Sequence, residues 1–219
     1  MSKLLLSFYG DDFTGSTDVM EALASNGVPT VLFLGVPDAK MLEQFSHCRA
    51  LGIAGTSRSE TPGWMDQHLT PVLSWLHARK AAICHYKVCS TFDSSPAIGS
   101  IGRAIEIGIR LFEQTVVPVV VGAPQLRRYT AFGHLFAAYQ GKVYRIDRHP
   151  VMRRHPVTPM DEADLVLHLG KQTSLPIGLV DSAVLSGPDA DRLVDRKLEE
   201  ATGSVLFDVD DDATQTAAG

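Results

Sequence analysis

The sequence has few of the residues that mark several protein classes. Its three cysteines have no C-x-x-C spacing, which argues against both a disulfide scaffold and a structural zinc site. No apolar run approaches the roughly 20 residues that a membrane-spanning helix needs, and the first short run ends at two aspartates, unlike a signal peptide. The formal charge of −5 supplies no excess of cations for nucleic acid or an anionic membrane. We therefore expect a cytoplasmic protein without a nucleic-acid or membrane partner.

Short apolar runs alternate with segments of helical periodicity over most of the 219 residues. Residues 65–76 and 98–112 carry apolar stripes with helical spacing. Asn26 with Gly27 signals the end of the first helix, and Pro188 with Asp189 signals the start of the last. Most of the runs are apolar throughout, which is typical of strands in a sheet that is covered on both faces. They span residues 3–9, 29–34, 49–55, 81–88, 117–123, 176–181 and 204–210.

This alternation predicts an α/β fold with a mostly parallel sheet that is flanked by helices on both faces. Residues 124–160 depart from it, because they are rich in arginine, histidine and proline and have no clear period. We interpret them as an irregular insertion, either a long functional loop or a small hairpin.

Polar clusters follow four of the predicted strands. "GDDFTGS" comes after the first strand, "TSRSE" after the third, "CSTFDSS" after the fourth and "PQLRRYT" after the fifth. Open α/β sheets bind ligands at the carboxyl ends of their strands, where such loops meet. The four clusters together therefore predict a binding site.

The segment "GDDFTGS" looks like a phosphate-binding loop, but its charges are different. Its two glycines are spaced as in G-x-x-x-x-G-K-[ST], but the lysine is missing, and Asp11 and Asp12 lie where backbone amides would hold phosphate. Each carboxylate at ~4 Å would oppose a phosphate by roughly 4 kcal/mol at an effective dielectric of 20. The haloacid-dehalogenase pattern D-x-D also fails, because Phe13 occupies the second acidic position. Helix capping explains one of these acids, and the other is suited to the hydroxyls of a polyol or to a metal.

The next two clusters are suited to an acidic ligand. Arg58 lies among three hydroxyl residues, and a guanidinium binds a carboxylate bidentately. Lys87 precedes a run of serine, threonine and aspartate, and residues 97–102 would open a helix whose amides can hold an anion. A solvated turn and an N-cap cluster are the corresponding structural interpretations. Cys89 lacks an evident histidine base and is not favoured as a nucleophile.

The arginine-rich part of 124–160 allows two further interpretations. A nucleic-acid surface is one, although the overall charge is negative and few aromatics are interleaved. A metal site formed by His134, His149 and His155 is the other, but these histidines lack a recognised ligand spacing. We therefore predict no metal site in the chain.

Five motifs in order resemble those of the four-carbon acid sugar kinase family, formerly a domain of unknown function. They are "GDDFTGSTD", "TSR", "YKVCSTFDSSPAIGSIG", "RRYTAFGHLF" and "MRRHPVTPMDEADL", and they extend across nearly the whole chain. "CSTFDS" with "HPVTPM" resembles the branch that acts on 3-oxo-tetronate more than the branch that acts on threonate or erythronate. Two residues depart from that branch: Ser100 replaces an asparagine, and Arg127 replaces the glycine of a G-R-T element.

The resemblance implies that residues 1–219 are the N-terminal substrate-binding domain of an ATP-dependent kinase for a four-carbon sugar acid. ATP, with Mg²⁺, would be bound mainly by a C-terminal nucleotide-binding domain, in the same polypeptide or as a separate chain, and we expect this chain alone to be inactive. A homodimer is compatible with the resemblance. The alternative is a non-catalytic sugar-acid sensor or effector that is built on the same domain.

The resemblance also suggests roles for individual residues. Asp12 would orient, and could deprotonate, the attacking hydroxyl, and Asp11 would assist it or contact Mg²⁺ carried by ATP. Arg58, Lys87 and Arg128 would bind the carboxylate or the approaching phosphate. The other expected substrate-binding residues are Thr14, Ser57, Ser90, Thr91, Asp93 (also the alternative base), Thr130, His155 and Thr158.

Overall fold

The computed structural model describes residues 4–219, and these divide into two compact units between Cys89 and Ser90. All seven predicted strands are present and parallel, so the α/β class is confirmed. One feature of the prediction is corrected: the strands form two parallel sheets, one in each unit, instead of one. Lys3, the first residue of the first predicted run, lies outside the described residues.

The first unit contains a four-stranded parallel sheet of order β2-β3-β1-β4. Helix α1 packs against the strands of this sheet. The helix that follows β3 widens into a π-helical turn at Met65–Leu69 between α3 and α4. The elements are β1 Leu6–Gly10, α1 Phe13–Ser25, β2 Thr30–Phe33, α2 Ala39–Gln44, β3 Ala50–Ala54, α3 Pro62–Trp64, α4 Thr70–His77 and β4 Ile83–Lys87.

Burial in this sheet follows strand position. All five residues of the inner strand β3 are buried, whereas Ile83 on the edge strand β4 is 56% exposed. Gly52 in β3 leaves space for the ring of Phe8, because a Cβ at Gly52 would lie 2.1 Å from that ring. The predicted helical stripe is also confirmed, since Met65, Leu69 and Leu76 are fully buried. The parallel pairing of β1 with β3 and with β4 places their last residues, Gly10, Ala54 and Lys87, in register at one edge.

The second unit contains a three-stranded parallel sheet of order β5-β10-β9 and a separate antiparallel sheet. Pro118 is accommodated in β5 because β5 is an edge strand, where one ladder donor is dispensable. The elements are α5 Ile101–Phe112, β5 Val116–Val120, β6 Arg128–Ala131, β7 His134–Tyr139, β8 Lys142–Arg145, α6 Leu165–Gly170, β9 Ile177–Val180, α7 Ser182–Leu185, α8 Ala190–Glu200, β10 Gly203–Phe207 and α9 Asp212–Ala218.

Residues 124–160 contain the antiparallel sheet β6-β7-β8, so the hairpin interpretation is the correct one. Two-residue turns join its strands, and both residues of each turn have positive φ: Phe132 and Gly133, then Gln140 and Gly141. Such turns match the twist of the strands they join. The predicted strands did not include these three, because their side chains mix polar and apolar residues without clear alternation.

Helix boundaries partly agree with the predictions. Asn26 caps α1 and Gly27 has φ +75°, as its turn requires. Asp189 precedes α8, but the later helix α9 makes the prediction of a last helix there wrong. The second stripe was also placed too early, since α5 begins at Ile101. Among residues 4–219, no helix is both long and apolar enough to cross a membrane.

Candidate functional site

Three polar segments of the first unit meet at the carboxyl edge of its sheet. The Asp11 amide donates to the Lys87 carbonyl (3.0 Å), and the Arg58 amide donates to the Asp11 carbonyl (3.1 Å). The loop after β1, the turn after β3 and the end of β4 are thereby linked through the backbone of one residue. We call Asp12, Arg58 and Lys87, which this link brings together, the first cluster.

Asp12 has two partners, one for each carboxylate oxygen. Oδ1 accepts the amide of Gly15 and caps α1, while Oδ2 accepts from the Arg58 guanidinium. The capping interpretation is therefore correct for Asp12. About a quarter of each side chain in this ion pair is exposed, so water and small ligands can reach it.

Lys87 lies beside the first turn of α1. Its Nζ donates to the Val88 carbonyl at 2.6 Å and lies 3.5 Å from the position that a Cβ on Gly15 would occupy. The same Cβ would lie 2.9 Å from Asp12 Oδ1. Gly15 therefore leaves room for the ammonium group next to the capping carboxylate. Thr14, in the same turn, is exposed.

Two tyrosines lie beneath the first cluster. Tyr9 and Tyr86 are paired across β1 and β4, and their rings stack with centroids 5.6 Å apart. The Tyr86 hydroxyl lies 2.8 Å from the Oγ of the fully buried Ser57. Loss of hydration raises the pKa of both phenols, and the charge of Asp11 raises both further. Both phenols therefore stay protonated near neutral pH.

Asp11 is a buried acidic residue next to these tyrosines, and only 5% of it is exposed. Its charge acts on Tyr9 and Tyr86, and its backbone joins Arg58 to Lys87. Residues 4–219 contain no group of three or more histidine, cysteine, aspartate or glutamate side chains that could hold a metal ion.

In the second unit, residues 65 positions apart meet around Asp93. One oxygen of Asp93 accepts from the Thr91 hydroxyl, and the other accepts from the Thr158 hydroxyl at 2.9 Å. His155 Nδ1 lies 3.9 Å from the second oxygen. Thr91, Asp93 and Thr158 are buried. These four residues form the second cluster.

The hydrogen bonds of His155 select one tautomer. The Thr158 amide donates to Nδ1 at 3.1 Å, and the Thr158 hydroxyl already donates to Asp93. Nδ1 is therefore the acceptor, and Nε2 carries the proton. About a quarter of the His155 side chain is exposed, so this residue can supply an N–H donor to a ligand oxygen.

The segment between Thr91 and α5 is held by polar contacts that sequence reasoning missed. Phe92 is fully buried with a left-handed φ of +53°, and Ser94 Oγ lies 3.0 Å from His168 Nε2. The side-chain oxygen Oε1 of Gln172 accepts the first amides of α5, from Ile101 (2.9 Å) and Gly102 (3.3 Å). The prediction that these amides hold an anion is therefore wrong.

Ser100 and Arg127, which depart from the branch pattern, have local explanations. The Ser100 hydroxyl caps α5 by accepting the Arg103 amide, a role that asparagine fills equally well. Arg127 has φ +56°, a left-handed backbone conformation that favours glycine. Both positions therefore keep the backbone geometry that the replaced residue would favour.

Three other predicted site residues lie elsewhere in the second unit. Arg128 Nη1 donates to the backbone carbonyls of residues 126 and 127. The buried Thr130 hydroxyl accepts the Val209 amide at 2.7 Å and so joins β6 to the chain after β10. Ser90 is half-buried at the first position of the unit.

The histidine metal site that was weighed as an alternative for His134, His149 and His155 is not formed among residues 4–219. His134 Nδ1 lies 2.8 Å from the Phe132 carbonyl, while His149 Nδ1 accepts the amides of residues 151 and 152. His155 belongs to the second cluster. Each imidazole thus has a local partner that explains its position.

Comparison with known proteins identifies the family. A model of the sugar-binding N-terminal domain matches residues 6–219. The chain belongs to the sugar-binding N-terminal domain family. The expected resemblance to sugar-acid kinases is thereby confirmed.

The relatives of this sugar-binding domain are named kinases. A 3-oxo-isoapionate kinase from Paraburkholderia graminis is 54% identical and covers 99% of this chain and 46% of its own length. A 3-oxo-tetronate kinase from Methylobacterium radiotolerans is 33% identical, over 95% of this chain and 49% of its own. The crystal structure of a Haemophilus influenzae protein from the family DUF1537 has a TM-score of 0.82 at 26% identity, over 95% and 49% of the two chains. The chain thus spans about half the length of the relatives it matches.

Residues of the sugar-binding domain that sequence reasoning missed are mainly the supports of the two clusters. Tyr9, Tyr86, His168 and Gln172 were not predicted as part of the site. Only the tyrosines left a signal, because each precedes a polar loop at the end of a predicted strand. His168 and Gln172 contact residues more than 65 positions away, and no local pattern reports such a contact.

Proposed function

We propose that this chain is the sugar-acid-binding part of an ATP-dependent kinase that phosphorylates a terminal hydroxyl of a short 3-oxo sugar acid. Residues 1–219 would bind the acid as one functional domain and would not phosphorylate it alone. The first cluster is the observation that carries the proposal. It places a carboxylate, a guanidinium and an ammonium group together at the carboxyl edge of a parallel sheet.

The first cluster suggests how substrate binding prepares Asp12. In the free protein, Arg58 is paired with Asp12. A substrate carboxylate can take the same guanidinium bidentately, which would free one oxygen of Asp12 to accept a hydroxyl proton. Lys87, beside the helix terminus, would then hold negative charge as it develops on the transferred group.

The second cluster, within the second unit, offers a hydrogen-bond donor of its own. His155 presents an N–H in the tautomer described above, and this N–H can donate to a ligand oxygen. Asp93 accepts two threonine hydroxyls and so fixes the segment that carries His155. Within the proposal, Asp93 is a positioning residue more than a base, because both of its oxygens already accept hydroxyls.

The substrate we favour is 3-oxo-isoapionate, with 3-oxo-tetronate second. The relative named for the first compound is 54% identical to this chain, whereas the one named for the second is 33% identical. Both are 3-oxo sugar acids. Mg²⁺ and ATP would be bound mainly by a further nucleotide-binding domain, in line with the half-length match to the relatives, and the phosphoryl donor would supply the transferred group.

Calorimetric titration of the 219-residue chain tests the binding half of the proposal. We expect heats with 3-oxo-isoapionate and 3-oxo-tetronate, and weaker heats with threonate and erythronate. A millimolar ligand binds with about −4 kcal/mol, so concentrations up to ~10 mM are needed. Arg58→Ala should weaken binding about tenfold, the loss of one charge-assisted contact, while Arg110→Ala on the exposed side of α5 should not. Absence of heat with all four acids would contradict the proposal.

Turnover tests the catalytic half, in a chain that includes the second half present in the relatives. Asp12→Asn keeps a capping side chain but removes the base, so turnover should fall by about 10²-fold or more. Binding of the sugar acid should persist. Turnover equal to that of the unchanged protein would remove Asp12 from the mechanism. Binding without phosphoryl transfer by the unchanged protein would instead support a sensor or effector.

A further inference from the structure

The segment immediately before His155 concentrates positive charge. Residues 142–155 contain five lysine and arginine side chains and one carboxylate, a formal charge of +4 with histidines neutral, in a chain whose total is −5. The single carboxylate, Asp147, makes a two-point contact with Arg145. Arg148 is 3.9 Å from the same carboxylate, and its side chain is 74% exposed.

Arg153 and Arg154 are the cations nearest in sequence to the second cluster, and both are exposed. Neither guanidinium has a hydrogen-bond or ion-pair partner among residues 4–219. The two arginines are adjacent in the chain, where like charges repel one another and a bound anion would offset the repulsion.

The turn that carries the two arginines is anchored on both sides. Met152 is 7% exposed, and its carbonyl accepts the amides of His155 (3.1 Å) and Met160 (2.9 Å). The Arg153 and Arg154 amides donate to the carbonyls of residues 149 and 151. The backbone thus fixes the two arginines next to His155, which contacts Thr158 of the second cluster.

We propose that Arg148, Arg153 and Arg154 form a docking surface for a polyphosphate, the triphosphate chain of the nucleotide donor in the proposed kinase. The inference rests on the proposed function and extends it, because it assigns donor recruitment to the sugar-binding half. Guanidinium groups bind phosphate oxygens bidentately, and a surface of several cations speeds the encounter with a polyanion.

Titration of inorganic tripolyphosphate into the 219-residue chain tests the inference without turnover. We expect binding that weakens as salt is raised, because exposed charges are screened. The double variant R153A/R154A should bind at least about tenfold more weakly, from the loss of charge-assisted contacts. The matched control is R192A/R196A, which removes two exposed arginines from α8 and changes the net charge equally. Its affinity for tripolyphosphate should stay within about twofold of that of the unchanged chain.

The other outcomes separate this inference from the proposed function. If the chain binds a 3-oxo sugar acid but not tripolyphosphate, the docking surface is wrong and the proposed function stands. Equal losses in the two double variants would also overturn it, since the effect would then be one of overall charge. Tighter binding of a single-stranded or duplex oligonucleotide than of tripolyphosphate would favour a nucleic-acid surface instead. Sugar-acid affinity should be unchanged in R153A/R154A, which checks that the variant remains folded.

Discussion

Asp12 in the first cluster and Asp93 in the second are both followed closely by a helix or turn, yet their surroundings differ. The Asp12 side chain is 26% exposed and pairs with a cation that is exposed to the same degree. The Asp93 side chain has no exposed area, and its two oxygens accept neutral hydroxyls. Partners of an exposed pair can be exchanged for a ligand at little cost, whereas a buried carboxylate needs every acceptor satisfied. In the first cluster, a ligand can therefore replace an ion-pair partner. In the second cluster, the buried carboxylate holds the surrounding chain segments together.

The strongest test of this contrast compares stability after removal of each carboxylate. Asp93→Ala leaves two buried hydroxyls without their acceptor, which should lower the free energy of unfolding by about 3 kcal/mol. Asp12→Ala removes a helix cap and a partly exposed ion pair, and should cost only about 1 kcal/mol. Urea unfolding followed by far-ultraviolet circular dichroism would measure both.

Two controls sharpen that comparison. Both tryptophans, Trp64 and Trp75, lie in the first unit, so their fluorescence should report the Asp12→Ala change directly. Thr158→Val should reproduce part of the stability lost in Asp93→Ala, since it removes one of the two hydroxyls that donate to Asp93. Equal costs for the two aspartate variants would mean that Asp93 is not a supporting residue.

A second test uses pH. His168 contacts Ser94, which follows Asp93 of the second cluster in the chain, and a histidine can change its charge in the range studied. Burial lowers the pKa of His168, and the charge of Lys171 lowers it further. The unfolded state therefore binds the proton more tightly, so stability is complete above the unfolded pKa of about 6.5 and declines as pH falls toward the folded pKa.

Acidification from pH 7.5 to 5 should thus lower the urea midpoint of the unchanged chain, and His168→Gln should reduce this dependence. Other acid-sensitive groups, such as His149, are shared by the two proteins and cancel in the difference. The same pH slope in both would show that His168 does not titrate as its burial predicts.

The smallest expected effect compares two helical glycines, one beside the first cluster and one remote from both. Gly108→Ala in α5 meets no atom within 4 Å and should stabilise by about 1 kcal/mol, the helix propensity of alanine. Gly15→Ala has the same propensity gain but places its Cβ 2.9 Å from Asp12 Oδ1. We expect little or no stabilisation and weaker sugar-acid binding. A gain at Gly15 equal to that at Gly108, with unchanged affinity, would show that the space beside Lys87 is not needed.

Much of the architecture was predictable because it depends on local patterns. Apolar runs with turns between them indicate buried parallel strands, and all seven were found. The position of the polar loops after the strands also follows from the chain order. The three strands of the antiparallel sheet in 124–160 were not predicted, because polar and apolar residues do not alternate clearly along them.

The partners of the polar side chains were not predictable in the same way. The Asp12–Arg58, Thr158–Asp93 and Gln172–Ile101 contacts join residues 46, 65 and 71 positions apart. Asp12 could be expected to cap a helix, but not to pair with Arg58 as well. The sequence shows no acceptor for the first amides of α5, and in the folded chain the side chain of Gln172 supplies it.

The amino-acid order alone determined the α/β class, the strands and the loops in which charged and hydroxyl residues would be found. The division into two sheets, the tautomer of His155 and the choice of which carboxylate is buried were decided by packing. The physical reason is one of range. Strand and helix signals come from neighbours within a few residues, whereas hydrogen-bond partners and burial depend on which distant segments the folded chain places in contact.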